Sequence, residues 1–167
     1  MHMKRTFTKN EILKCGTGEL DGIQYPRLPL PNMLMLDRIT GISDTGGRYG
    51  RGEVEAEFEV NPDSWFFACH FVDDPVMPGS LVLDGLCQLL GFYLGWKGYK
   101  GKGRALGIGE VKYKGEIVPT SGILTYHLDI RRIVKRPIAM AVADGEVLLQ
   151  GHAVHTAQSL RVGIVPY

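Results

Sequence analysis

The stretch Cys69–Gln88, CHFVDDPVMPGSLVLDGLCQ, decides how the rest of the chain is read. A single histidine, His70, leads into a turn bracketed by Pro75 and Pro78, and from Gly79 or Ser80 an apolar helix begins. Leu81, Leu83, Leu86, Leu89, Leu90, Phe92, Tyr93 and Leu94 sweep round its whole circumference, so it must be covered on every side. Within it stands one carboxylate, Asp84, with Gln88 one turn further on. A histidine and a carboxyl placed beside a buried helix point to acid/base chemistry in a dry pocket.

Length and composition bound what can surround this helix. A chain of 167 residues holds one domain with a full core and is too short for two ordinary ones, so residues 1–167 are expected to form a single domain. Lys and Arg number 19 against 18 Asp and Glu, which removes the basic excess that nucleic acid demands. Cys15, Cys69 and Cys87 follow no disulfide or metal spacing, which suits a reducing compartment. The start of the chain, MHMKRTFTKNEILKC, has no apolar run of the signal-peptide kind. The run Leu81–Trp96 is shorter than the roughly 20 residues that span a bilayer and carries Asp84. A cytoplasmic protein without membrane association is therefore expected.

Upstream of the helix, Thr8-Lys-Asn-Glu11 is a capping box that predicts a short helix to about Cys15, stopped by Gly16 and Gly18. Pro26, Pro29 and Pro31 make an extended arm before a strand predicted over Met33–Ile39, with Asp37 and Arg38 as its solvated end. Thr45-Gly-Gly is a turn. From Glu53 to Val60 the alternation is strict: Val54, Ala56, Phe58 and Val60 face one way and Glu53, Glu55, Glu57 and Glu59 the other. This is a half-buried strand of a one-sided antiparallel sheet, and its glutamates read as a solvated face. Trp65-Phe66-Phe67 then carries the chain into the core.

Downstream, Gly98–Gly103 with its lysines lacks the order of a phosphate loop and reads as a connection. Strands are predicted over Ala105–Tyr113, Ile123–Arg132, Ile138–Ala143 and Leu160–Val165, with Asp144-Gly145 as a hairpin turn. His152 and His155 fall on opposite faces of a strand and are expected at the surface. His127, alternating with Tyr126 and Leu128, is expected to be structural. The fold class is thus α+β, about six antiparallel strands curved around one long apolar helix. Six strands leave one flank of such a helix and a sheet edge uncovered, and a second copy in a symmetric dimer is the economical cover.

The chemistry gathers at the opening stretch. A carboxyl at Asp84 is poorly solvated and suited to donate a proton, and Gln88, on the same helix face, can orient it. Pro78-Gly79 opens the helix, where free backbone amides accept partial negative charge and Gly79 lets a ligand approach. Base, acid and oxyanion donor are the parts needed to remove a proton next to a carbonyl and expel a β-hydroxyl. Phe71, Val76 and Pro78 flank the histidine and are expected to line the substrate pocket. On an extended segment Cys69 and His70 point apart, which argues against a cysteine hydrolase, and Cys69, His70, Asp73 and Asp74 match no metal-ligand spacing. No metal and no cofactor is expected.

The text WFFACHF (Trp65–Phe71), DPVMPGSLVLDGLCQLLGFYLGW (Asp74–Trp96) and GKGRALGIGEVKY (Gly101–Tyr113), with PNMLMLDRI and ADGEVLLQG beyond it, closely resembles the bacterial 3-hydroxydecanoyl-acyl-carrier-protein dehydratase/isomerase family of fatty acid synthesis. The resemblance covers nearly the whole chain and implies a hot-dog fold. It implies that His70 is the base, that Asp84 of the other subunit is the acid, and that the Gly79 amide binds the thioester carbonyl at the interface of a homodimer. An aspartate at position 84, where dehydratase-only relatives carry glutamate, resembles the branch that also isomerises trans-2 to cis-3 decenoyl thioesters. Asp73 departs from the glycine common in the family. The implied partner is an acidic acyl carrier protein, for which Arg131, Arg132, Lys135, Arg136 and Arg161 form the expected basic patch. Two other readings compete: a hot-dog thioesterase, which needs a carboxylate to activate water, and an acyl-binding module without catalysis.

Overall fold

In the computed structural model, which describes residues 3–167, the glutamate-faced alternation becomes β2 (Glu53–Glu59), with Val54, Ala56 and Phe58 buried. Before it come α1 (Lys9–Thr17) and β1 (Arg38–Ser43). After it a 3-10 turn (Trp65–Ala68) leads to α2 (Gly79–Trp96), β3 (Lys102–Gly107), β4 (Glu110–Tyr113), β5 (Ile123–Val134), β6 (Ala139–Leu149) and β7 (His152–Val165). The seven strands form one antiparallel sheet in the order β1-β2-β5-β6-β7-β3, with β4 also pairing β7. The sheet wraps around α2, which packs on β7, β6, β5, β2 and β3, the hot-dog arrangement.

Packing, rather than capping, holds α2. Its N-cap, Pro78, supplies no side-chain hydrogen bond, whereas Leu86, Leu89, Leu90, Phe92, Tyr93 and Leu94 are all but inaccessible. Each such side chain contributes about 1.5–3 kcal/mol of burial against the ~1 kcal/mol of a good cap. One stripe stays open: Ser80 is exposed and Leu83, Asp84 and Cys87 are half-buried. Their spacing of three, four and seven residues places them on a single helix face.

Several predicted elements are corrected. Helix α1 carries the capping box and ends at Gly18, whose φ of 81° caps it, so Gly16 lies inside the helix. Met33–Leu36 is not a strand. Gln88 of α2 takes its backbone groups, Oε1 accepting from Met35 N at 2.9 Å and Nε2 donating to Met33 O at 2.9 Å, and the strand starts only at Arg38. Asp37 is buried rather than solvated, because its carboxylate accepts from Glu59 N at 2.6 Å and faces Lys9 at 3.3 Å.

The predicted strand Ala105–Tyr113 divides into β3 and β4, which raises the count from six to seven. Its partner β7 kinks at Ser159 (φ 53°), so β3 pairs Arg161–Val165 and β4 pairs His155–Gln158. Asp144-Gly145 does not turn. β6 runs through it with a bulge, Asp144 Oδ1 accepts from Ser159 N at 2.9 Å, and a Cβ on Gly145 would stand 2.8 Å from Leu128 Cδ2 and 3.1 Å from Leu86 Cδ2. That glycine admits the helix instead of reversing the chain. The hairpin lies at Gln150-Gly151, both at positive φ (51° and 79°), and the last strand accordingly begins at His152.

Candidate active site

His70 is placed by a tight loop that follows the 3-10 turn. Its amide donates to Phe66 O at 2.9 Å, its carbonyl accepts from Val76 N at 2.8 Å, and its Nδ1 lies 2.8 Å from Val76 O. A carbonyl only accepts, so in the neutral imidazole this contact selects the tautomer with the proton on Nδ1 and the lone pair on Nε2. The next amide after Val76 donates to Ile117 O at 2.8 Å, which pins the loop to the segment after β4. Phe71 stacks on the His70 ring with centroids 4.2 Å apart and is otherwise exposed.

Cys69 ends the 3-10 turn with φ −128° and ψ −7°, which is not extended as the sequence reading assumed. Its thiol is nevertheless engaged elsewhere, donating to Trp65 O and Phe66 O at 3.5 and 3.7 Å.

His70 and Val76 share a cleft of about 340 Å³ with Gly79, Tyr113 and His155. The first turn of α2 opens into it. Leu81 N and Val82 N donate to Pro78 O, and helix geometry leaves the Gly79 and Ser80 amides without intrahelical acceptors. Of the predicted pocket residues, Val76 lines this cleft, Pro78 is the helix cap, and Phe71 leans on the histidine outside the lining.

Asp84 opens elsewhere, into a second cleft lined by Cys87, Gln88, Leu28 and Arg104. Gln88 Nε2 donates to Asp84 Oδ2 at 2.7 Å while its remaining groups hold Met33 and Met35, so the carboxyl is fixed by a side chain that is itself fixed. The Cys87 thiol is pushed up to about 11, by burial first and then by the Asp84 charge, which keeps it protonated and a poor nucleophile at neutral pH. Within one chain His70 and Asp84 therefore occupy separate clefts.

The sequence reading missed two residues of the first cleft. His155, expected at the surface, is 6 % exposed, and its Nε2 lies 3.3 Å from Gly115 O. Burial holds this imidazole below its ordinary range, partly offset by that hydrogen bond. Tyr113 stands opposite it across the β4–β7 pair. The signal was present: His155 and Ala157 alternate with Thr156 and Gln158, a period of two that puts the histidine inside. His152 is exposed as expected. His127 Nε2 lies 3.3 Å from Asp129 Oδ1, and with Glu53 these residues converge on the outer sheet face. Asp129 already accepts from Arg48 N at 2.7 Å, so it serves the loop after β1.

The five predicted patch cations are unequal. Arg131 is engaged by Asp144 at 3.5 Å and Ser159 at 2.9 Å and lies over the Tyr49 ring. Arg132 and Arg161 flank Val142 in register across β5, β6 and β7, while Lys135 and Arg136 are exposed in the β5–β6 connection.

Comparison with known proteins assigns residues 28–158 to the FabA-like domain. The chain belongs to the FabA-like family. Among solved structures it is similar to the dehydratase heterocomplex ApeI:P from Xenorhabdus doucetiae, with a TM-score of 0.64 and 19 % identity over 83 % of this chain and 88 % of that one. It is also similar to AziG from S. sahachiroi, with a TM-score of 0.53 and 14 % identity over 77 % and 90 % of the two chains. A mutant thioesterase, PA1618 from Pseudomonas aeruginosa, aligns with a TM-score of 0.50 and 14 % identity over 77 % and 82 %. At such identities the likeness to these structures speaks for the fold, and the FabA-like assignment for the family. Among the described residues no helix is long and apolar enough to cross a membrane.

Proposed function

We propose that this protein is a 3-hydroxyacyl-acyl-carrier-protein dehydratase that also isomerises trans-2-decenoyl to cis-3-decenoyl thioesters. The observation that carries the reading is the cleft in which His70, its tautomer set by Val76 O, faces the uncapped start of α2 at Gly79. A thioester carbonyl accepting from the Gly79 amide gains charge as His70 Nε2 removes the proton next to it. Asp84, directed by Gln88, protonates the departing β-hydroxyl, which leaves as water. In isomerisation the same histidine moves a proton between C4 and C2.

The acid comes from a second copy. The open stripe runs from Ser80, in the His70 cleft, past Leu83 to Asp84 and Cys87, which share the second cleft with Gly103, Arg104 and Ala105 of the edge strand β3, a surface that a symmetric partner would cover while presenting its Asp84 to His70. Exposed Arg132, Lys135, Arg136 and Arg161 receive the acidic carrier protein, with Arg131 reduced to a supporting role by Asp144.

Ultraviolet absorbance tests the reaction. A 3-hydroxydecanoyl thioester should yield the conjugated enoyl product, and gas chromatography should find cis-3-decenoate after hydrolysis. Release of free thiol instead would make the protein a thioesterase, and no change at all an acyl-binding module. His70→Ala and Asp84→Ala should each be inactive, and refolding them together should restore about a quarter of wild-type activity through mixed dimers. Failure of that rescue with two well-folded variants would place both residues in one chain's site.

A further inference from the structure

Tyr113 is held from two sides. On β7 the residue directly opposite is His155, whose ring meets that of Tyr113 edge-on with centroids 5.0 Å apart at 84°. His155 is buried and tied through Nε2 to Gly115 O, so it forms a fixed seat. On the other side Tyr113 lies against the start of α2. A Cβ on Gly79 would stand 2.5 Å from Tyr113 Cε1 and 2.8 Å from Cδ1, closer than carbon atoms can pack. The ring edge thus fills the space that a Gly79 side chain would take, in the cleft that Gly79 shares with His70.

A carbonyl oxygen bonded to the Gly79 amide lies about 2.9 Å from its nitrogen. The carbon that follows the carbonyl, C2 of an acyl chain, then passes the ring edge. We propose that Tyr113, seated on His155, is a specificity-determining residue that admits acyl thioesters unbranched at C2 and excludes those bearing a methyl group there. The inference rests on the function proposed above, because it takes the Gly79 amide as the carbonyl site. It explains why an aromatic side chain that is 57 % exposed occupies this position: the ring is a wall of the cleft rather than part of the core.

The test separates the wall from the chemistry. Ketone analogues of decanoyl and 2-methyldecanoyl pantetheine, with CH₂ in place of the thioester sulfur, are titrated calorimetrically into the full chain, its Tyr113→Ala and its Tyr113→Phe variants. Wild-type turnover of the unbranched 3-hydroxydecanoyl thioester is measured in parallel. The wild type should prefer the unbranched analogue by at least about tenfold, the range in which one methyl group is discriminated. Tyr113→Ala should reduce that preference by about tenfold, chiefly by binding the branched analogue better, while Tyr113→Phe keeps it. An unchanged preference in Tyr113→Ala overturns the proposal, as does an undiscriminating wild type or a Tyr113→Phe variant that loses the preference. The expected binding pattern without turnover refutes the dehydratase reading and leaves the wall standing. Absence of binding by both analogues refutes the two together.

Discussion

Replacing Gln88 with alanine should damage the fold and the proposed acid, Asp84, at once, because one amide group serves both. Three hydrogen bonds disappear: Met35 N to Oε1 at 2.9 Å, Nε2 to Met33 O at 2.9 Å, and Nε2 to Asp84 Oδ2 at 2.7 Å. They are unequal. Met35 is 1 % exposed, so its amide is stranded at a cost of about 1–3 kcal/mol. Met33 is 44 % exposed and its carbonyl takes water at little cost. Asp84 is half-buried, and losing an amide donor there costs about 1 kcal/mol after solvent screening. Alanine's helix propensity offsets a few tenths of a kcal/mol.

The sum is about 2–4 kcal/mol, which for a chain of this length lowers the thermal midpoint by roughly 5–15 °C. Urea denaturation at one protein concentration, on Gln88→Ala, Asp84→Ala and the double variant, measures it. The cycle should show a coupling of about 1 kcal/mol between the two positions. Dehydration should fall by about tenfold or more as the carboxyl loses its direction. A Gln88→Ala protein within about 0.5 kcal/mol of wild type, or additivity with Asp84→Ala, would refute the claim that packing and acid share this residue.

Acid should destabilise the protein partly through His155. Burial favours its neutral form, so its folded pKa lies below the ordinary 6.5, and the unfolded chain binds the extra proton as pH drops. The stability this neutral form contributes is therefore complete above pH 6.5 and is lost as pH falls from there toward the lowered folded value. His155→Phe should lose less stability than wild type between about pH 7.5 and pH 5.5 in urea melts, and equal losses would contradict the assignment. At the proposed docking surface, Arg132→Glu combined with Arg136→Glu should lower turnover of carrier-bound substrate by about tenfold relative to the pantetheine-bound form. An unchanged ratio removes the patch.

The local signals in the chain were reliable where one element was enough to satisfy its own groups. The capping box at Thr8 and Glu11, the strict alternation of Glu53–Glu59 and the apolar sweep of Gly79–Trp96 each depend on neighbours within one helix or strand, and each was legible. Where a segment's backbone found partners far along the chain, local pattern misled. Met33–Leu36 has strand-like composition but bonds to Gln88, and Asp144-Gly145 has turn chemistry but is a close-contact point between β6 and α2.

The candidate site divides in the same way. His70, Gly79, Asp84 and Gln88 could be read from CHFVDDPVMPGSLVLDGLCQ alone, because the loop, the helix start and the helix face are contiguous. The sequence by itself determined which groups are available, a histidine, a free helix start and an oriented carboxyl. Only the tertiary structure decided their grouping. Sheet register brings Tyr113 and His155 from remote strands to the wall beside Gly79, while the turn of α2 carries Asp84 into a different cleft from His70. Strand pairing and helix direction are set by the packing of the whole sheet around α2, which local spacing does not encode.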